Sequence, residues 1–500
     1  MKKSSIDTNQ YHSFLFKPIS IESLIVFRIL FGMLMFFSTA RFMYLGWIDE
    51  HYIQPLIHFR YFGFSWLPIA SDWFIYLIHI IMLLASLGIM LGYKYKTSAM
   101  LFFLTFTYAE LIDVSYYLNH YYFVSLISFI LIFLPAQNYF SVDLLNFRIE
   151  EKKQVENWTV AILKFQLFVV YFFAGIAKIN TDWLFEALPL RIWLPAHDTL
   201  PIIGKWMIYP ETAFVFSWLG MLFDTTIIFF LMWKRTRFIA YLSVVIFHTI
   251  TGLLFQIGVF PLVMIALTPI FFDSKVHKSI INKLQTVQVY LGQKVEPILI
   301  KTKLKRIEPE FEVGWCATPY VQMHDTRNDI NYSIASSEYE NKERVTVVPK
   351  RQKRIVFILL VYVLFQLLFP LRFLAYPGNV FWTEEGFRFS WRVMLVEKSG
   401  SALFYVKDGK TGKEGVVDNT EFLNSHQEKQ LSFQPDMILQ FAHFLADHYE
   451  KEGVSNPEVR AEVYVTMNAR PSKLFINPEV DLSKVEDFWT NKEWILPFAQ

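Results

Sequence analysis

Long apolar runs separated by short polar breaks dominate the first three quarters of the chain. A helix needs about 20 apolar residues to cross the hydrocarbon core of a bilayer. By that measure the pattern predicts nine spans, at 23–40, 73–92, 97–112, 121–135, 160–177, 213–233, 238–256, 259–272 and 355–372. The runs at 97–112, 121–135 and 259–272 are short for a full crossing, so tilted, re-entrant or protein-buried segments are expected there. The first run is long, contains Arg28 and has no small-residue cleavage site after it, so it reads as a retained span rather than a cleaved leader.

Two stretches break the apolar pattern. Residues 273–354 are polar and predict an amphipathic helix near 276–305 followed by a linker. Residues 376–500 predict a small folded domain. Within it, Leu403-Phe404-Tyr405-Val406 and Val463-Tyr464-Val465 read as strands, Asp408-Gly409 as a turn, and 435–451 as a helix with apolar residues at helical spacing. The expected fold is an α-helical integral membrane bundle of about nine spans with a C-terminal exported β-rich α+β domain. Its parts are 1–272 (membrane helices), 273–354 (cytoplasmic helix and linker), 355–372 (last span) and 376–500 (exported domain).

Lys and Arg concentrate in alternate loops, at Lys2, Lys3 and Lys17, at Lys94 and Lys96, at Arg148, Lys152 and Lys153, at Lys234, Arg235 and Arg237, and at Lys350 to Arg354. The opposite loops are poorer, since 113–119 has none and 178–212 has only Lys178, Arg191 and Lys205. Positive loops stay in the cytoplasm. The N-terminus is therefore expected inside, and the last span exports 376–500, into a periplasm if the host is a bacterium.

Composition sharpens the class. Charged residues make up 18% of the chain and hydrophobic ones 54%, against about a quarter charged in an ordinary soluble domain. That excludes a disordered, collagenous or nucleic-acid-binding chain and argues against a soluble enzyme. The formal net charge of +2 points to no polyanionic partner. A single cysteine, Cys316, excludes an internal disulfide and any multi-thiolate metal motif. No phosphate-binding loop, dinucleotide fingerprint, HExxH or G-x-S-x-G occurs.

An ionisable group inside an apolar run costs free energy, so each one raises a functional hypothesis. The candidates are Glu110, Asp113, His120, Lys178, Asp224 and His248, most of them towards the exported ends of their spans. Lys178 ends the run Tyr171-Phe-Phe-Ala-Gly175-Ile-Ala-Lys178. It reads either as a lysine reaching for the membrane edge or as a desolvated general base, with Asn180, Asp182 and Trp183 in a loop over it. Asn119-His120 lies at the same layer, and a structural histidine is the competing reading. His248 reads equally as a bond to a neighbouring helix or as a reacting group. Asp224 needs a partner, and a structural bond to another helix is the favoured reading. Two histidines without i,i+4 pairing do not make a metal site, and none is expected. Leu254-Phe-Gln256-Ile-Gly258-Val-Phe260-Pro261 interrupts two apolar runs and permits non-helical backbone lining a cavity. Aromatic clusters at 41–73 and 376–391 would suit a greasy planar ligand, and interfacial belts explain part of them.

These residues together resemble the vitamin K-dependent gamma-glutamyl carboxylase family and its bacterial HTTM domain homologues. The resemblance runs in order through Phe27-Arg28-Ile-Leu-Phe-Gly32, Met90-Leu-Gly92-Tyr-Lys94, Asn119-His120 and Asn138-Tyr-Phe-Ser-Val-Asp143. It continues through Tyr171 to Lys178, Asp182-Trp183, Phe247-His248, Leu254 to Phe260, and Ser390-Trp391. It implies a carboxylase that couples oxygenation of a reduced naphthoquinone to its epoxide with carboxylation of glutamate side chains. Reduced vitamin K (phylloquinol or menaquinol) is the implied cofactor, O2 and CO2 the co-substrates. Membrane lipid and a glutamate-containing peptide or protein are the implied partners. In the family a lysine deprotonates the hydroquinone, and Lys178 ends the same kind of run. By the same resemblance Lys178, His120 and Asn119 are the expected catalytic residues. His248, Gln256, Gly258, Trp183 and Arg191 are the expected cofactor contacts. A non-catalytic quinone- or lipid-binding protein on the same scaffold is the alternative. A transporter ranks below both, because paired broken helices in two halves are not evident.

Overall fold

The computed structural model describes residues 14–145, 149–255, 257–301, 349–488 and 491–498, the stretch 288–301 by its backbone alone. Gln256 and Cys316 fall outside the described residues. Two compact units divide the chain: 1–281 together with 359–500, and 282–358.

The apolar runs fold as helices. They are α1 (Glu22–Tyr44), α2 (Asp72–Leu91), α3 (Tyr95–Ile112), α4 (Asn119–Phe133), α5 (Trp158–Ala177), α6 (Pro210–Met232), α7 (Arg237–Leu254) and α8 (Phe260–Leu267). The amphipathic α9 (Ser274–Lys301) and the apolar α10 (Lys350–Leu368) follow. Among the described residues six helices are long and apolar enough to cross a membrane: α1, α2, α5, α6, α7, and α10 with its continuation to Ala375. A seventh is reached if Phe260–Phe271 and Ser274–Val287, bent by 114° at their junction, form one broken span. The predicted spans at 97–112 and 121–135 do form helices, but α4 has only 15 residues and α3 mixes Lys96, Glu110 and several hydroxyl side chains into its apolar sequence. The chain is a multi-pass membrane protein whose helices carry large exposed apolar side chains, such as Leu219, Phe229 and Phe230 on α6, as lipid-facing surfaces do.

One polar knot ties several of these helices together. Arg28 is buried in α1, and its guanidinium donates to the carbonyls of Ala136 and Phe140 at 2.7 Å each. Gly92 ends α2 in the left-handed conformation, and a Cβ there would stand 2.5 Å from the Arg28 guanidinium. The Asp143 carboxylate accepts from the backbone N–H groups of Lys94 and Tyr95 at 2.7 and 3.0 Å, satisfying free donors at the start of α3. A short antiparallel pair, β1 (Pro18–Ser20) with β2 (Gln154–Glu156), closes the same end.

The C-terminal region holds a four-stranded sheet in the order β4-β3-β5-β6. The long pair is β3 (Lys398–Lys407) antiparallel to β5 (Glu458–Met467), in register from Lys398↔Met467 to Lys407↔Glu458. The flanking β4 (Glu414–Val416) and β6 (Lys473–Leu474) are short. Along β5 every second residue, Val459 to Met467, is buried, as a one-faced sheet requires. Helix α12 (Pro435–Lys451) lays Met437, Ile438, Phe441, Ala442 and Leu445 on that face, and the smaller α11 (Ser425–Leu431) precedes it. The predicted strands and helix thus occur, yet the region is mixed rather than β-rich. Much of it is irregular chain pinned by rings, such as Trp382 against Phe475 and Phe498 at 4.9 Å each.

Candidate functional site

Close approach of α5 and α6 builds the centre of the site. Gly175 makes the approach possible, because a Cβ there would lie 2.6 Å from the backbone nitrogen of Thr225 and 2.9 Å from the carbonyl carbon of Asp224. Three residues on, at the end of α5, Lys178 turns inward. Its Nζ donates to Asp224 Oδ2 at 2.8 Å and to the Ala174 carbonyl at 3.2 Å, and it stands 5.2 Å from the Trp183 ring. Both members of the ion pair are buried. The Asn180 side chain accepts from the Trp183 N–H at 3.0 Å and starts the turn that folds Trp183 over the lysine. Trp183 Nε1 then donates to the Ser217 carbonyl on α6 at 2.8 Å.

Opposite this pair, the Tyr171 hydroxyl and His248 Nε2 share a hydrogen bond of 2.9 Å. His248 Nδ1 is buried and has no partner among the described residues. These groups line an otherwise apolar cavity with Phe216, Phe247, Phe255 and Phe260.

Asn119 and His120 lie elsewhere. They open α4 and line a second, larger and more polar chamber with Gly258, Arg388, Arg392 and Lys398. Ile257, Phe260, Val393 and Met394 line both spaces and form their common wall. The Phe260 ring stands 5.8 Å from each of the His120 and His248 rings. Asn119 is already engaged: its Nδ2 donates to the Arg392 carbonyl at 3.1 Å and its Oδ1 accepts from the Tyr117 hydroxyl at 3.0 Å. The His120 ring is buried and makes no hydrogen bond among the described residues.

The sequence-predicted residues therefore divide into groups. Lys178, Trp183 and His248 share the apolar cavity, and Asn119, His120 and Gly258 share the chamber. Arg191 is exposed and lines neither space. Asp224, read from sequence as a structural bond, bonds to another helix through Lys178 itself. Tyr171 and Arg392 were not singled out, since a tyrosine at a span's midpoint and an arginine in a polar domain carry no unusual sequence signal. The chamber-side chain from Phe389 to Met394 is unusual in another way. Phe389, Trp391 and Met394 all hold positive φ, near 60°. Trp391 is nonetheless buried, stacked on Tyr122 of α4 at 5.1 Å.

An apolar, aromatic cavity with one buried ion pair and one unpartnered ring nitrogen suits a flat, weakly polar ligand. Among the described residues no group of three His, Cys, Asp or Glu is placed to hold a metal ion. A multi-helix membrane bundle with such a cavity, and a small α+β domain after the last span, defines the class of protein. Residues 16–275 match the HTTM domain family, and residues 351–500 match the lumenal domain of vitamin K-dependent gamma-carboxylase. The chain belongs to the HTTM domain family and is related to the vitamin K-dependent gamma-carboxylases, as the sequence resemblance implied. No solved structure matches it.

Proposed function

We propose that this carboxylase-like membrane protein carboxylates glutamate side chains, using a reduced naphthoquinone with O2 and CO2, and that Lys178 is the base that starts the cycle. The single observation that carries this reading is the Lys178–Asp224 pair buried in an apolar, aromatic cavity. The proposed orientation is that read from the loops: N-terminus cytoplasmic, up to nine crossings, residues 376–500 exported.

The residues of the cavity fit a quinol. Tyr171, Phe216, Phe247 and Phe255 offer ring faces, and His248 Nδ1, without a partner among the described residues, would offer a polar atom to a ring oxygen. When bound, the reduced naphthoquinone supplies with O2 a base far stronger than any side chain, which removal of a glutamate γ-proton requires. The chain supplies proton handling and enclosure. Lys178 and Asp224 form either an ammonium–carboxylate or an amine–carboxylic acid pair, both without net charge. Only the second leaves a lone pair on the lysine nitrogen. Moving one proton across the 2.8 Å bond to Asp224 therefore arms Lys178 to accept a phenolic proton. His120, whose ring makes no hydrogen bond among the described residues, would hydrogen-bond the reacting carboxylate group from the neighbouring chamber. Phe260, Val393 and Met394 would limit entry of water from the chamber to the apolar side, since they line both spaces.

The test uses purified protein in lipid with reduced vitamin K or menaquinol, oxygen, labelled bicarbonate and a glutamate-rich peptide, following epoxide and incorporated label. Both products, both dependent on Lys178, are the expected outcome. Epoxide alone would mean that the quinol is oxygenated and that the peptide supplied is not the substrate. Neither product from folded protein would leave the quinone- or lipid-binding reading.

A further inference from the structure

Arg41, Arg388, Arg392, Lys398 and Lys429 bring positive charge to the chamber that holds His120, and Glu50, Glu384 and Glu397 bring negative charge. Most of the buried charge is accounted for. Arg388 pairs with Asp436 and donates to Gln434. Lys398 Nζ donates to Glu384 Oε1 at 2.8 Å and to the Trp382 carbonyl at 3.0 Å. Glu397 accepts from Trp193 Nε1 at 2.6 Å. Arg392 differs. It is 7% exposed, its Nε is buried without a partner, and its guanidinium makes no hydrogen bond or ion pair among the described residues. The Phe373 ring at 4.1 Å and the Phe381 ring at 5.4 Å supply cation–π contact but no acceptor. Burial lowers the Arg392 pKa to about 10, with Arg372 adding to the shift and Glu384 opposing it.

A largely buried cation without protein acceptors is costly, and an anion in the chamber would offset that cost. The planar guanidinium fork matches a carboxylate in two parallel bonds. The backbone of Arg392 is also held in place for that task. Its carbonyl accepts from Asn119 Nδ2, the residue beside His120, and the Phe389 N–H donates to the Tyr117 hydroxyl at 2.7 Å.

We infer that Arg392 is the carboxylate-binding residue of the chamber: it clamps the side-chain carboxylate of the acceptor glutamate beside His120. This rests on the carboxylase reading above. The electronics agree with it. Loss of a γ-proton to the base leaves an electron pair that spreads onto the adjacent carboxylate oxygens before it forms the bond to CO2. A guanidinium bonded to those oxygens stabilises the charge as it develops.

The experiment measures binding without quinol, so that it stands apart from turnover. Full-length protein in lipid nanodiscs is titrated with two fluorescent peptides, amidated at their C-termini and differing only in Glu or Gln at the acceptor position. Wild type is expected to favour the Glu peptide by about tenfold or more, as charge-assisted bidentate bonds do. Arg392→Gln should collapse that preference to less than about threefold, and Arg392→Lys, which keeps the charge without the fork, should fall between. Lys178→Ala should keep the full preference. Equal binding of the two peptides to wild type, or an unchanged preference in folded Arg392→Gln, overturns the inference. If Arg392→Gln does not fold, an undiminished preference in Arg392→Lys overturns the clamp geometry. Displacement of the Glu peptide by decanoate as effectively as by itself would assign the site to lipid carboxylates instead. A preference that depends on Arg392, in a protein that never yields epoxide or label, would sink the carboxylase reading and leave Arg392 as a carboxylate-binding residue only.

Discussion

Lys178 already makes two hydrogen bonds before any substrate arrives, and that decides what its removal does. Lys178→Ala should abolish epoxide formation, and it should also leave Asp224 buried without a counter-charge. Breaking a buried pair by removing one member costs about 3–5 kcal/mol, though Asp224 can take up a proton and stay neutral. The single variant is therefore expected to fold with lowered thermal stability, and Lys178→Ala with Asp224→Asn should recover part of the loss while remaining inactive. Epoxide output undiminished in either variant would refute the base assignment. His120→Ala should lower carboxylation more than quinone binding, because its ring lies in the chamber and not in the apolar cavity. Equal loss of both would mark a structural histidine. Lys178, His120 and His248 were legible in the sequence because an ionisable group in an apolar run stands out. Arg392 was not legible. What makes it unusual is the absence of a partner after folding, and no spacing encodes that.

At the scale of elements, the site depends on how close α5 and α6 come. Gly175→Ala would place a methyl within 2.6 Å of backbone and side-chain atoms of Thr225, and backbone cannot swing aside. Helix propensity favours alanine over glycine by up to about 1 kcal/mol, but overpacking of this kind costs about 1–3 kcal/mol, so the clash wins. Gly220 on α6 is the natural control, since a methyl there would meet the Trp183 ring at an ordinary 3.6 Å. Gly220→Ala should leave the melting temperature in detergent unchanged or raised, and Gly175→Ala should lower it. Equal melting temperatures for the two would refute the close-approach argument. The helices themselves were legible from the length of the apolar runs, and the helix at 435–451 has the predicted ends. Crossings were less legible than helices. A run such as 121–135 is equally apolar whether it spans lipid or is buried among neighbours, and sequence alone does not tell a protein interior from a bilayer. Arg28, Gly92 and Asp143 carried much of the family resemblance, yet they meet in the polar knot far along the chain from Lys178 and hold helix ends together.

Over the whole molecule, the chamber exists only because the C-terminal region sits on the bundle. Several polar contacts fix that seat. Gln427 donates to Asp113 at 2.9 Å, Gln440 exchanges bonds with the backbone of Arg60, and Trp391 inserts beside α4. A further contact is made by Arg470, at the end of the sheet, which grips Asp182 through two bonds of 2.8 Å while Asn468 donates to the same carboxylate. Asp182 belongs to the turn that carries Trp183 over Lys178. Loosening this grip should therefore be felt both in stability and in the cavity. Partial burial by itself would raise the Asp182 pKa, but the bonds from Arg470 and Asn468 outweigh it and hold the carboxyl below its usual range. A carboxyl depressed in the folded state stabilises the fold above its unfolded value, about pH 4, and loses that contribution as pH falls through the lower folded value. Wild type should thus melt above Asp182→Asn by an amount equivalent to about 1 kcal/mol at pH 7, with the gap closing below about pH 4. Melting curves in detergent from pH 7 to pH 3 check this. A gap that persists at pH 3, or none at pH 7, would mean that Arg470 does not hold the turn. If the gap closes as expected, the quinol activity of Asp182→Asn then tells whether the C-terminal region steadies the membrane site or only rests on it.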